Sequence, residues 1–218
     1  MIVVENLKVT LETKVVDKNG KVKYFKRKNS AVYNLGRILY GVLLAIGGAD
    51  LSYSGARVSC SVKKEDGTED TAYTEWYAGE RGYGGGTPMG ANAPEGDDTY
   101  GIMVGSDSTP VSDDDYSLKS KIPHGDGDNL LHYGTHTFED VEVGTSYAKI
   151  KMSRGFTNNG SVPVTVYEFG LGVRNFWKDQ ADVRKDLKFL VCRDVESEGV
   201  VVNPSETLVV SYVFEVTL

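Results

Sequence analysis

From Gly101 to Leu218 the apolar and polar positions fall into short alternating runs cut by turn signals, the pattern of a series of strands. Gly101–Gly105 is predicted as a short strand, followed by Asn129–Thr137 and Ser146–Phe156. Thr157–Gly160 (TNNG) is a turn ahead of Ser161–Val173 (SVPVTVYEFGLGV). A charged turn then leads to Leu187–Val195 (LKFLVCRDV), and the chain closes on Glu206–Leu218 (ETLVVSYVFEVTL). Leu208–Val216 carries no charge except Glu215. Such a strand left as an open edge invites pairing with other chains. It is therefore expected at the centre of a sheet or paired between chains. Ser112–Asp115 follows Pro110 and resembles a capped single helical turn, with acids where a helix dipole favours them.

The first half begins with a hairpin over residues 2–28. Leu7, Val9, Leu11 and Val15 alternate with polar residues, and Asp17–Gly20 supplies an Asn-Gly turn. Asn29–Ile46 is the one amphipathic helix: Asn29 or Ser30 caps it, and Val32, Leu35, Leu39, Val42, Leu43 and Ile46 recur at three- and four-residue spacing before Gly47-Gly48. Its polar side (Asn34, Arg37, Tyr40, Gly41) is thin, so it buries much of its circumference against a sheet or another subunit. Leu39 and Leu43 are candidate interface residues on that stripe. Arg57–Lys64 and Thr71–Tyr77 form a further strand pair around Glu65–Thr68. Ala78–Asp98 is rich in Gly, Pro and Ala and has few apolar anchors, which marks an extended arm or a mobile surface loop. The fold class expected is mainly β: an antiparallel β-sandwich, jelly-roll-like, with one N-terminal helix and a long Gly-rich loop. The chain reads as one β-rich domain, 1–218, with a subdivision at 1–77, 78–98 and 99–218.

Composition narrows the function. At 218 residues, 40% hydrophobic and 25% charged, the chain is long enough to bury a core without staples. A net charge of −7 argues against nucleic acid as the primary partner. Lys21–Lys28 is the local exception, five basic residues in eight, and reads as a solvated strand edge. Cys60 and Cys192 sit in apolar runs and are expected as small buried hydrophobes. Met1–Val4 runs straight into a strand pattern without a signal-peptide plan, and Ile38–Ile46 is too short for a membrane span. The chain is expected to be made in the cytoplasm, with no membrane partner.

Candidate chemistry is sparse. His132 and His136 lie four apart, with His124 eight before His132. On a strand the pair would share a face at a distance of roughly 13 Å, too long for one ion without a bulge. Asp126-x-Asp128-Asn129 and Asp113–Asp115 offer oxygens for a structural cation, but turn chemistry explains both, and Thr137 stands where a calcium loop starting at Asp126 needs its Glu. Gly79–Gly90 lacks the Gly-Lys-Ser/Thr of a phosphate loop, and no Gly-x-Ser-x-Gly elbow exists. Asn159-Gly160-Ser161 is a formal glycosylation sequon that reads more simply as a hairpin turn. No catalytic, cofactor-binding or metal residue is assigned, and no enzyme is expected. Tyr73, Trp76, Tyr77 and Tyr83 cluster beside the Gly-rich loop, where aromatics pack in strands, anchor a protein interface or stack on sugars.

Several segments together resemble β-rich structural proteins of tailed phages and related prokaryotic viruses. They are Lys28–Val32 opening the helix with Leu35 and Leu39; Val104-Gly105 and Thr109-Pro110 ahead of Asp115-Tyr116-x-Leu118 and Ile122; Arg154-x-Phe156-Thr157-Asn158-Asn159 with Val164-Thr165-Val166-x-Glu168-x-Gly170-Leu171; and Arg193-Asp194-Val195 ahead of Glu206-Thr207-Leu208. Ala31 stands where those proteins carry an aromatic, and the match is weakest over Leu51–Asp98. The resemblance implies a non-enzymatic virion component (capsid-associated, decoration, turret or tail-associated) that works as a homo-oligomer beside other virion proteins. Candidate interface residues are Leu39, Leu43, Trp76, Tyr77 and Tyr83. The alternative is a β-sandwich module that binds carbohydrate or a host receptor, with a host surface glycan as partner.

Overall fold

The computed structural model describes residues 6–29, 34–35, 57–75, 89–178 and 184–217. The described chain is mainly β, with its strands in antiparallel sheets. β1 (Asn6–Val16) and β2 (Val22–Asn29) form the predicted hairpin. Val9, Leu11 and Val15 turn to one buried face, and the Asp17 carboxylate accepts the Asn19 and Lys21 N–H groups at 2.9 and 3.0 Å to close the turn. The other edge of β1 pairs along its whole length with β12 (Thr207–Thr217). β12 in turn pairs with β9 (Tyr147–Thr157), which carries β7 (His132–Phe138) and the short β8 (Glu142–Val143). The C-terminal strand, charged only at Glu215, is thus central in a six-stranded sheet of its own chain, and Leu208, Val210 and Tyr212 are fully buried.

The second sheet is a long hairpin of β10 (Val164–Lys178) and β11 (Arg184–Val202). The other edge of β10 takes β6 (Gly101–Gly105) and β5 (Met89–Gly90). β11 extends well past the run read from its apolar residues, because a bulge opposite Val166–Glu168 absorbs Glu196–Gly199 and lets Val200–Val202 rejoin β10. β3 (Arg57–Lys63) and β4 (Glu69–Glu75) make the separate hairpin expected there. One core draws on all three: Leu11, Phe156 and Tyr212; Ile102, Phe169 and Phe189; Val62 and Ala72. Cys60 and Cys192 are buried thiols within it.

Two expectations change. Of the predicted helix, only Asn34–Leu35 is described, and it is helical; Leu39 and Leu43 lie outside the described residues, as does Ser30, and Asn29 ends β2. Asn34 does not face solvent. Its amide oxygen accepts the Lys63 N–H, and its Nδ2 donates to Lys63 O and Leu190 O, each at 2.9 Å, so it acts as a miniature strand between β3 and β11. The Gly-rich segment is not a patternless arm over its described part, residues 89–98. Met89–Gly90 pairs with Arg174 and Asn175, and residues 91–99 are held by polar ties that an apolar pattern cannot reveal. Ser112–Asp115 is the single capped turn expected: the Asp115 N–H donates to Ser112 O at 3.0 Å, the Ser112 N–H donates back to Asp115 Oδ2 at 2.8 Å, and Asp115 is buried.

Gly101 starts β6 at φ +77°, and a Cβ there would stand 2.5 Å from the His136 ring and 2.8 Å from Ala91 O. Backbone strain and overlap act together at this position. Gly101→Ala is expected to destabilise the fold by more than about 2 kcal/mol, a fall of several degrees in a calorimetric melt.

Candidate functional site

The alternation that builds the core also carries charge into it. On β10, Val164, Val166 and Glu168 share one face, and Glu168 is fully buried. So is Arg193, from the neighbouring β11. The Arg193 guanidinium donates from Nε to Glu168 Oε2 at 3.0 Å and from Nη1 to Asp115 Oδ2 at 2.9 Å. Its other donors meet the carbonyls of Thr109 and Pro110. Glu168 also accepts the Lys119 and Ser120 N–H groups at 3.0 and 2.7 Å. Lys119 Nζ closes the set on Asp115 at 2.9 Å, so two cations face two carboxylates. Gly105 leaves the room: a Cβ there would lie 2.4 Å from Glu168 Oε1. Burial pushes the Asp115 carboxyl up, but the Ser112 N–H, Lys119 and Arg193 outweigh it and hold the group below its ordinary value. The cluster clamps residues 107–120, which carry no strand, onto the β10–β11 pair.

Arg154, on the core face of β9 between Met152 and Phe156, makes a second clamp. Its guanidinium meets four backbone carbonyls: Gly134 at 2.8 Å, Ile102 at 3.1 Å, Pro94 at 2.9 Å and Asp97 at 2.8 Å. It also stacks over the Tyr133 ring, 4.8 Å from its centroid. His136 stands opposite Arg154 across the β7–β9 ladder. Its Nε2 accepts the Ile102 N–H at 2.9 Å, so the proton sits on Nδ1, which donates to Ala93 O at 2.9 Å. Burial, with the Arg154 charge adding to it against the Ala93 bond, holds His136 down at about 4. The Tyr133 hydroxyl donates to Ile122 O at 2.7 Å and accepts the Val104 N–H of β6, in the second sheet, at 3.4 Å.

A third clamp sits just past the C-terminal end of β9. Asn158 is fully buried, donating to Val162 O and Val202 O at 2.8 Å and accepting the Gly160 N–H at 3.0 Å. Next to it Glu206 accepts from Asn203 and from Lys23 of the β1–β2 hairpin.

The histidines do not share a face as the plain spacing predicted. Between Tyr133 and His136 the ladder slips, three β7 residues spanning two of β9, and this bulge turns His136 inward while His132 stays outside. His132 faces Asp126 at 3.0 Å and Glu95 at 2.9 Å, and His124 Nδ1 accepts the Tyr133 N–H. The two acidic clusters are engaged by protein groups. Asp126 takes Asn159 Nδ2, Asp128 takes the Ser161 N–H and hydroxyl, and Asp115 belongs to the Arg193 cluster. Trp76, Tyr77 and Tyr83, like Leu39 and Leu43, lie outside the described residues, and with them the aromatic basis of a sugar-binding reading. Sequence reasoning passed over Glu168, Arg193, Arg154 and Asn158 as site residues and weighed His136 only as half of a metal pair with His132. Parity was the available signal for the first three, each a charge at a core-facing position of an apolar strand. Comparison with known proteins adds no relative: no family model, curated protein or solved structure matches the chain.

Glu168→Ala leaves Arg193 charged, buried and short of its main partner, and is expected to cost about 3–5 kcal/mol, read as a lower urea midpoint. Replacing Glu168 and Arg193 together with apolar residues should cost less than the sum of the single changes. His136 gives a pH signature. Its folded value lies below the ordinary histidine value of 6.5, so the unfolded chain takes up the proton first. The contribution is complete above about 6.5 and is lost as pH falls toward about 4. Unfolding free energies across that window should decline with a slope of at most about 1.4 kcal/mol per pH unit for the one proton, and His136→Gln should remove that share.

Proposed function

We propose that this chain is a non-enzymatic structural protein of a virus particle, a capsid-associated, decoration, turret or tail-associated component that assembles by symmetric contacts with its own copies and with other virion proteins. The finer architecture that goes with this reading is an antiparallel β-sandwich of jelly-roll type with the N-terminal amphipathic helix that the sequence predicts. One observation carries it. The residues on which the resemblance to phage virion proteins rests are those that clamp loops to sheets here. Thr109, Pro110 and Asp115 meet Arg193, which pairs with Glu168; Arg154 gathers four carbonyls; Asn158 sits beside Glu206. Segments scattered over the second half of the sequence thereby share one physical task. Their strongest polar groups hold shape and leave little for chemistry on a ligand, which suits a protein whose product is a surface of fixed geometry.

The test is location. An antibody raised against the chain should label purified particles of the virus or prophage whose genome encodes it, and mass spectrometry of those particles should recover its peptides. Recovery only from the soluble lysate, with none in washed particles, overturns the reading.

A further inference from the structure

The six-stranded sheet ends in two unlike edges. On one side β2 has β1 as a neighbour and, among the described residues, no strand beyond it. Lys21–Lys28 along this edge holds five basic residues in eight, and Val22 is half exposed. On the other side the first half of β7 is capped, since Tyr133 O accepts the Gly96 N–H at 2.9 Å and the Tyr133 N–H goes to His124. Past that point the edge is open. Every residue from Thr137 to Val143 is exposed, including Phe138 at 52%, Val141 at 57% and Val143 at 72%, and Ile150 is exposed on the adjoining β9. Apolar surface on a strand edge is a template for pairing with another chain. Glu139, Asp140 and Glu142 are interleaved with it. Lys151 and Lys149 of β9 reach Glu139 and Glu142 at 3.1 and 2.8 Å, so the rim is acidic and the strand behind it balances part of that charge.

We propose that these edges are the two halves of one contact between copies of this chain: β2 of one molecule adds to the Thr137–Val143 edge of the next and continues the sheet from molecule to molecule. Charge selects the order. An edge set against its own copy opposes basic with basic or acid with acid, whereas the unlike edges attract. A contact between unlike surfaces does not close a dimer; it repeats into a ring or an open filament. Strand direction follows from the topology. Four antiparallel steps, β2 to β1 to β12 to β9 to β7, leave β2 and β7 running the same way, so copies held in one orientation pair these edges in parallel. The inference deepens the assembly reading above and rests on it.

The full chain is examined by sedimentation and light scattering over a wide concentration range, at low and high salt. Two variants reverse one edge each: Asp140→Lys with Val141→Lys and Val143→Lys, and Lys26→Glu with Arg27→Glu and Lys28→Glu. The wild type should form species larger than a dimer, weakened by salt. Each variant alone should associate at least about tenfold more weakly. An equimolar mixture of the two should co-assemble, because each supplies the edge that the other lacks. Circular dichroism melts check folding, and if a triple variant melts low, Asp140→Lys and Lys26→Glu carry the same mixing test. Wild-type oligomers indifferent to both reversals overturn this contact while leaving the assembly reading in place. An assembly that stops at a dimer also overturns it. A monomer at every concentration and salt overturns the contact and removes self-assembly from the reading above.

Discussion

The pairing of Glu168 with Arg193 is the constraint on which the second half of the molecule depends. Taking each charge out of water costs several kcal/mol, and only near-complete hydrogen bonding offsets it. Here the offset comes from outside the sheet: the Lys119 and Ser120 amides, the Thr109 and Pro110 carbonyls and the Asp115 carboxylate. Residues 107–120 are thus held by satisfying a charge pair that cannot be left unsatisfied. A loop with few apolar anchors acquires one conformation, because any other strands a buried ion. Apolar isosteres of the pair would keep the hairpin but lose the loop. The pair is better understood as a device for specificity than as a source of net stability.

Arg154 applies the same logic without a bonded carboxylate. A guanidinium has five donors in a fixed plane, and four carbonyls from three separate segments converge on it. Burial, with this cation adding to it, keeps the His136 ring neutral, and the neutral ring accepts the Ile102 N–H. One residue on β9 thus ties the path of residues 91–99, the start of β6 and the bulge of β7 together. The donors of Arg154 converge on the protein's own backbone.

Much of the β architecture was legible from alternation. The β1–β2 hairpin, the β3–β4 hairpin and the central place of the last strand all follow from period-2 patterns bounded by turn residues. Bulges were not legible. Neither the slip that turns His136 inward nor the one that lengthens β11 changes the composition of its strand, and each depends on a partner strand distant in sequence. Loops tied by buried charge escaped for a related reason. Residues 89–99 look unanchored to any count of apolar side chains, since their anchors are carbonyls bound by Arg154. Core-facing parity of Glu168, Arg154 and Arg193 was the one sign in the sequence, and it identifies buried charge without identifying what that charge holds.

The contrast between interior and perimeter bears on how such a molecule would build a larger object. The clamps tie the described loops to the strands of both sheets. Strands twist by roughly 20–25° per step, and a sheet continued through five steps per copy would turn by on the order of 100° each time. A flat ribbon is excluded by that accumulation. Closure into a ring requires the strands to tilt against the ring axis, as they do in a barrel, or bulges to redirect the twist. The irregularities at Val15/Val16, beside β2, and at Tyr133/His136, beside the open part of β7, lie next to the two edges and nowhere else in the six-stranded sheet. The sheet is regular through its centre and adjustable at its margins, the distribution expected where one copy must meet the next at a fixed angle.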